Sequence, residues 1–254
     1  MAALVDHPAI LFAVLLFIFI VAIASGLFVL RRVSPMRDEE RDDFNVVQGA
    51  TLTLLALIIG FSISMAVSRY DQRKTLEEAE SNAIGTEYVR ADLADPHIGN
   101  MMKAALIRYT HLRWTEFQTR DRDARRRLDA ETSAVQSELW QLAAQVAKAQ
   151  PTPIGSLVVA GMNDVLNSQD YSEAARINHI PLGAWALMVL IALLGCAVHG
   201  YGAKGKRRTV LLMTILPVTI SLSLALIADI DSPRGGIIRV QPQNLTRLLH
   251  SLEK

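Results

Sequence analysis

Residues 44–73 read FNVVQGATLTLLALIIGFSISMAVSRYDQR. From Phe44 to Ser68 no side chain carries a charge, and Arg69, Asp71 and Arg73 then follow within five residues. A bilayer core of roughly 30 Å is crossed by about 20 apolar residues in a helix. Inside hydrocarbon the backbone must satisfy its own hydrogen bonds, so a single crossing segment has to be helical. Three more runs share this pattern: Pro8 to Leu30, Ile180 to Ala203 and Thr209 to Ala228. Their boundaries are charged: Arg31-Arg32, Asp42-Asp43, Lys204, Lys206-Arg207-Arg208 and Asp229. One such run could be a buried helix of a soluble core, but four cannot be hidden in 254 residues. A cleaved secretory signal describes the first run poorly. Its apolar stretch is too long, and Asp6 and His7 stand where a basic region would be.

The composition agrees once the partition is seen. Hydrophobic residues make up 51% of the chain, yet mean hydropathy is only +0.25, because charge is packed between the runs. The 26 basic and 25 acidic residues nearly cancel, so no overall field recruits nucleic acid. The lone Cys196 can form neither an internal disulfide nor a Cys-rich metal site. His7, His97, His111, His179, His199 and His250 are not spaced as metal ligands, and no phosphate-binding loop or nucleophile elbow occurs. The sequence therefore predicts no catalytic, cofactor-binding or metal residues, and a protein that is not an enzyme. His199, near the end of its run, is expected to anchor at the membrane interface.

Residues 69–176 hold 14 Lys/Arg and 16 Asp/Glu with helical periodicity throughout. The second run should continue out of the membrane as one helix until Asp95-Pro96. Helices over about 99–118, 121–149 and 154–167 should follow, the last two separated by Pro151-Thr152-Pro153. In the 121–149 segment, Leu128, Thr132, Val135, Leu139, Leu142, Val146 and Ala149 step by four and three alternately. Such a seam is either an internal packing face or a subunit contact. The run Arg120 to Arg127 has interleaved aspartates and no aromatic partners, which fits a solvated helix start and not a nucleic-acid site. The predicted fold is all-α: a four-helix transmembrane bundle with a helical soluble domain inserted between the second and third spans. Its divisions are 1–68, 69–176, 177–230 and 231–254, with spans at about 8–30, 44–68, 180–203 and 209–228. Pro217 should kink the fourth span.

With four spans, the short loops at 31–43 and 204–208 lie on one side. They hold eight basic residues, against six flanking the opposite ends, so the positive-inside rule makes their side cytoplasmic. The helical middle is then expected outside the cytoplasm of a bacterial inner membrane.

The second run is also unusually rich in small and hydroxylated residues. Thr53, Leu57, Gly60, Ser64 and Ser68 share one helix face, which fits either a close helix–helix contact or a water-lined path. The stretch Gly60-Phe61-Ser62-Ile63-Ser64-Met65-Ala66-Val67-Ser68-Arg69-Tyr70 resembles the end of the second span in bestrophin anion channels. The tail Asp231-Ser232-Pro233-Arg234-Gly235-Gly236-Ile237-Ile238-Arg239-Val240 resembles more closely a bacterial membrane family of unknown function that is often labelled bestrophin-like. Its members share Asp-x-Pro-x-x-Gly-x-x-Arg-Val after the last span, and that likeness covers nearly the whole chain.

The resemblance implies a homo-oligomer in the lipid bilayer whose second helices line a neck permeable to inorganic anions. Aligned at Gly60-Phe61, the neck positions are Thr53, Leu57 and Phe61, with Ser64 next on the same face. Thr53 departs from an apolar ring. The resemblance also implies a cytosolic helical middle, against which the charge count is kept as the expectation. The alternative function is a non-conducting membrane protein whose helical domain binds a partner or senses the envelope. In the tail, Pro233 with Gly235-Gly236 should form a tight turn, and Ile237 to Val240 an extended segment docked on the helical domain.

Overall fold

A computed structural model describes residues 7–35, 37–203, 212–233 and 235–253, and its regular structure is entirely helical. Helix α1, Pro8–Ser25, is apolar all round and buries Leu11, Leu15 and Phe19 at every fourth position. It continues through a wider π turn, Gly26–Leu30, into Arg31–Val33. Helix α2 is unbroken over the 50 residues Arg41–Arg90. A tight turn at Ala91–Leu93 ends it, just before the predicted Asp95-Pro96 stop. The Asp95 carboxylate then caps α3, Pro96–Gln118, by accepting from the His97 amide at 2.9 Å. Helix α4, Arg122–Ala149, starts on the carboxylate of Asp121, which accepts from the Ala124 amide at 2.8 Å. Helix α5, Pro153–Ile177, starts at Thr152 and runs ten residues beyond the predicted end at 167. Helices α6, Leu182–Tyr201, α7, Ile215–Asp231, and α8, Gln243–Leu252, complete the chain.

Three helical stretches, Pro8–Val33, Arg41–Leu93 and Pro153–Tyr201, contain segments long and apolar enough to cross a membrane. In the fourth run Leu212 and Met213 are helical, Thr214 is a turn and α7 starts at Ile215, so the helix is interrupted just ahead of Pro217. The proline has no N–H for the carbonyl four residues back, that of Met213, which accounts for a break at this point. The basic residues Lys204, Lys206, Arg207 and Arg208, the start of the run at Thr209, and Asp6, Arg234 lie outside the described residues.

The chain forms two compact units. One holds Met1–Tyr70 with His179–Arg239, the other Asp71–Asn178 with Val240–Lys254. In the first, Leu15, Phe19, Leu55, Ala66, Met188, Ala192, Leu224 and Ile227 make the core. Large apolar side chains also cover its outside: Phe17 is 70% exposed, Phe28 69% and Leu222 60%. Water would penalise such a surface and hydrocarbon would not. Helices α1 and α6 meet backbone to backbone. A Cβ at Gly26 would lie 2.0 Å from the Ala197 carbonyl oxygen, and one at Gly200 would lie 2.1 Å from that of Ile23. In hydrocarbon, small residues that let backbones approach supply the packing that the hydrophobic effect supplies in water.

The second unit is a water-type domain with Ile84, Met102, Leu106, Tyr109, Leu139, Met162 and Val165 in its core. The seam of α4 faces that core. Thr132, Leu139, Leu142 and Val146 are buried, Leu128 and Val135 are partly buried, and only Ala149 is exposed. Its role is internal packing, so the subunit-contact reading loses these residues.

A charged network crosses the interior of this unit. Fully buried Arg113 donates to Glu80 and to Glu116. Arg176 donates to Glu116 at 2.5 Å and lies over the Phe117 ring at 3.9 Å, and Ser172 donates to Glu80 at 3.0 Å. The two carboxylates and two guanidiniums tie α2, α3 and α5 together, and removing any one would strand a buried charge.

Glu87 is compensated only by the nearby Arg90 guanidinium, without a hydrogen bond. It is fully buried, and neither carboxylate oxygen has a hydrogen-bond partner among the described residues. Burial pushes its pKa up to about 8, with Arg90 pulling it down and Asp164 pushing it further up. The folded domain thus keeps a proton that the unfolded chain releases above about 4.5, the ordinary value. Stability from this group is full below that value and declines as pH rises toward 8. Glu87→Gln should remove this decline and raise the melting midpoint at pH 8–9 by several degrees, measured on purified protein across pH 5–9. An unchanged pH profile would show that Glu87 is ionised in the folded protein.

Candidate functional site

The uncharged part of α2 has two unlike faces. Leu55, Ser62 and Ala66 are buried, at 2%, 5% and 0% exposure, and Leu55 and Ala66 belong to the core of the first unit. On the other face Thr53, Leu57, Phe61 and Ser64 are all exposed. Leu57 is 53% exposed and Phe61 65%, and a Cβ on Gly60 would meet nothing within 4 Å. Among the described residues, no helix covers this face. The Thr53 hydroxyl donates back to the Gly49 carbonyl at 2.9 Å, and Thr51 bonds Val47 in the same way at 2.8 Å. Such back-bonding keeps a hydroxyl satisfied without water while leaving its oxygen able to accept from outside.

One polar contact joins α2 to α6. The Gln48 side-chain amide lies 2.7 Å from Nδ1 of His199. Near it, the Tyr201 hydroxyl donates to the Ser34 carbonyl at 2.9 Å, the Tyr201 ring meets Phe44 edge-on at 5.6 Å, and Arg31 donates to the Ala203 carbonyl. His199 therefore has a partner in the second span, a pairing its sequence position could not reveal.

The other end of the unit is organised by two aspartates. Asp231 is fully buried and accepts from the Ile180 amide at 3.0 Å. The Arg69 guanidinium lies 3.5 Å from its other oxygen, and His179 lies 3.7 Å away. One carboxylate thereby ties the exit of α2 and the approach to α6 to the end of α7. Asp229 holds the tail: its two oxygens accept from the Ile237 amide at 2.7 Å and the Ile238 amide at 2.9 Å. Gly236 fits because a Cβ there would lie 2.6 Å from the Asp229 carbonyl and carboxylate oxygens. These bonds hold Ile237 and Ile238 to the end of α7, and Ile237 is 91% exposed.

The tail reaches the second unit through α8, a helix the sequence reading did not propose. Glu77 caps it from a distance, accepting from the Asn244 amide at 3.0 Å and the Leu245 amide at 2.9 Å. A side chain 167 residues earlier thus satisfies the orphan amides of a helix start. Trp114 donates to Thr246 at 2.9 Å, and Leu245 and Leu249 are buried. Among the described residues, no group of three or more His, Cys, Asp or Glu side chains is gathered to hold a metal ion.

Replacing Asp231 with alanine strands Arg69 and the Ile180 amide, and should cost about 3–5 kcal/mol. Asp231→Asn, which keeps an acceptor, should cost clearly less. Thermal unfolding in detergent distinguishes them, and equal losses would contradict the tie described above.

A family model described as a bestrophin-like domain matches residues 16–245. Among solved structures, the chain is similar to a point variant of a bacterial bestrophin homologue from Klebsiella pneumoniae. They share 14% identity, with 97% of this chain and 98% of that one covered, at a TM-score of 0.66. A zinc-phased structure of a bestrophin homologue from the same organism is 16% identical over 96% and 94%, at 0.64. A structure described as a membrane protein is 13% identical over 94% and 97%, at 0.68. At such identities the likeness shows the fold. No curated protein matches the chain.

Proposed function

The chain belongs to the bestrophin-like family, and on that premise we propose that it forms a homo-oligomeric ion channel, conducting inorganic anions, in a bacterial cell membrane. All four uncharged runs cross the bilayer in this reading, in pairs on either side of the helical domain at 69–176. Helix α2 faces the axis, and Thr53, Leu57, Phe61 and Ser64 line the path. The observation that carries the reading is the uncovered face of α2. These four residues fall on one side of a helix whose opposite side is packed into the first unit. Copies related by a rotation axis would place the face around a common path. Leu57 and Phe61 would form the apolar constriction, with Thr53 and Ser64 offering hydroxyls on either side of it. From Phe44 to Ser68 no carboxylate is present to repel an anion. By the charge count, the helical domain lies outside the cytoplasm.

Buried Cys196 is first changed to alanine for thiol experiments. Cysteines at Leu57 and Phe61 should then react with a charged thiol reagent at least about tenfold faster than one at buried Leu55. Phe61→Ala should raise chloride flux into liposomes severalfold. A monomer in detergent, or equal protection at all three positions with no flux, would remove the axial pore and favour a non-conducting protein. A cysteine at Ala130 should be labelled by an impermeant reagent on intact spheroplasts. Labelling only after lysis would reverse the orientation.

A further inference from the structure

The basic run Arg120 to Arg127 leads into α4, and the packing of the second unit fixes which end of that unit it occupies. Helix α3 runs back along α2. Near its start Gly99 lies against the Ala91 carbonyl, and further on Arg113 donates to Glu80. At its end Glu116 accepts from Arg176 at 2.5 Å, and the Phe117 ring lies 3.9 Å from the same guanidinium. Arg176 stands four residues ahead of Ile180, where an uncharged run begins. The turn from α3 into α4 is therefore at the end of the unit where the chain enters at Asp71 and leaves at Asn178. With the runs that end at Ser68 and start at Ile180 in the bilayer, this end is tethered to the membrane surface twice.

Of the eight residues in the run, five are arginine and two are aspartate. The aspartates cancel little of the charge. The Asp121 carboxylate is engaged in capping α4. Asp123 lies 3.9 Å from Arg126, with side chains 80% and 82% exposed, so water screens the pair. Arg120, Arg122 and Arg127 are exposed, and no ion pair among the described residues holds them. An arginine in a first helical turn opposes the helix dipole, so Arg122 is not there to stabilise α4. The opposite end of the unit has no such excess. Its connector at 91–95 holds two aspartates and no basic residue, and the one at 150–152 holds no charge. The unpaired positive charge of the connectors is thus gathered at the end tethered to the membrane.

We propose that this run is a membrane-surface contact, in which Arg120, Arg122, Arg126 and Arg127 bind the phosphates of anionic phospholipid headgroups. Guanidinium forks match phosphate oxygens, and a basic cluster beside a spanning helix is attracted to an anionic leaflet. The contact braces the helical domain against the leaflet it faces, at a turn that has no covalent tie of its own to a span. It needs the flanking runs to lie in the bilayer, but neither a pore nor an oligomer.

The test uses the full-length protein in a nonionic detergent, with Cys196→Ala and one new cysteine carrying a polarity-sensitive fluorophore. Gln118→Cys, exposed at the end of α3, places the probe beside the run, and Ala147→Cys, exposed at the far end of α4, is the control. Dihexanoyl phosphatidylglycerol and dihexanoyl phosphatidylcholine are titrated. The probe at 118 should give a saturable shift with the anionic lipid at a concentration at least about tenfold lower than with the zwitterionic one. High chloride should weaken that preference, and the probe at 147 should show none. The triple variant Arg122→Gln, Arg126→Gln, Arg127→Gln should lose the preference, while lysine at the same three positions should retain most of it, because the attraction is chiefly one of charge. The proposal is overturned if the probe at 118 responds alike to both lipids, or if the glutamine variant keeps the native preference. It is equally overturned if the anionic lipid has no effect and the glutamine variant loses its oligomeric state, which would make the run a subunit contact.

Discussion

Hydrocarbon offers a peptide group no hydrogen-bonding partner, and most of the first unit follows from that. The described parts of the four uncharged runs are helical over most of their length, and several of their side-chain hydroxyls bond the preceding turn, as Thr51, Thr53 and Ser62 do on α2. Because lipid is as apolar as leucine, helix association cannot rest on burying leucines. It rests on close approach, and the glycines at 26 and 200 let α1 and α6 touch along their backbones. The same solvent explains why the large apolar side chains of this unit lie outside as well as inside.

Where hydrocarbon gives way to water, carboxylates become the joints. Asp231 gathers segments around residues 69, 180 and 231, and Asp229 folds the tail beneath its own helix. In the second unit Glu77 starts α8, and Glu80 and Glu116 hold two buried guanidiniums. Each accepts from several donors at once, the arrangement in which a buried charge is tolerated. Glu87 lacks it and keeps its proton instead. The Asp-x-Pro-x-x-Gly-x-x-Arg-Val pattern of the tail has a structural basis in this light. Asp231 is the tie, Pro233 lies in the turn, and Gly236 is the residue that leaves room for Asp229.

Much of this architecture was legible in the chain. The uncharged runs marked the apolar helices, the charge after Ser68 marked where α2 leaves them, and Asp95-Pro96 and Pro151-Thr152-Pro153 marked the breaks between helices, where the structure adds Asp95 and Thr152 as caps of the helices that follow. The misreadings share one cause. The predicted end of α5 at 167 and the absence of α8 were both judged from local residue preference. In each case a partner distant in sequence decided the outcome. Residues 243–252 form a helix because Glu77 caps them and an apolar surface receives Leu245 and Leu249. A ten-residue helix has little stability by itself.

The sequence by itself determined that the chain is helical and partitioned between lipid and water, because solvent preference is a property of each side chain and sums along a run. It also determined which residues share a face of α2, since helical periodicity is local geometry. Only the tertiary structure decided which of those faces is covered and which is left open. Only it could pair Gln48 with His199, Asp231 with Arg69 and Glu77 with α8, for each contact joins positions more than 150 residues apart. Nothing in local composition encodes such distances. They are set by how helices pack, and packing is a property of surfaces that exist only after folding.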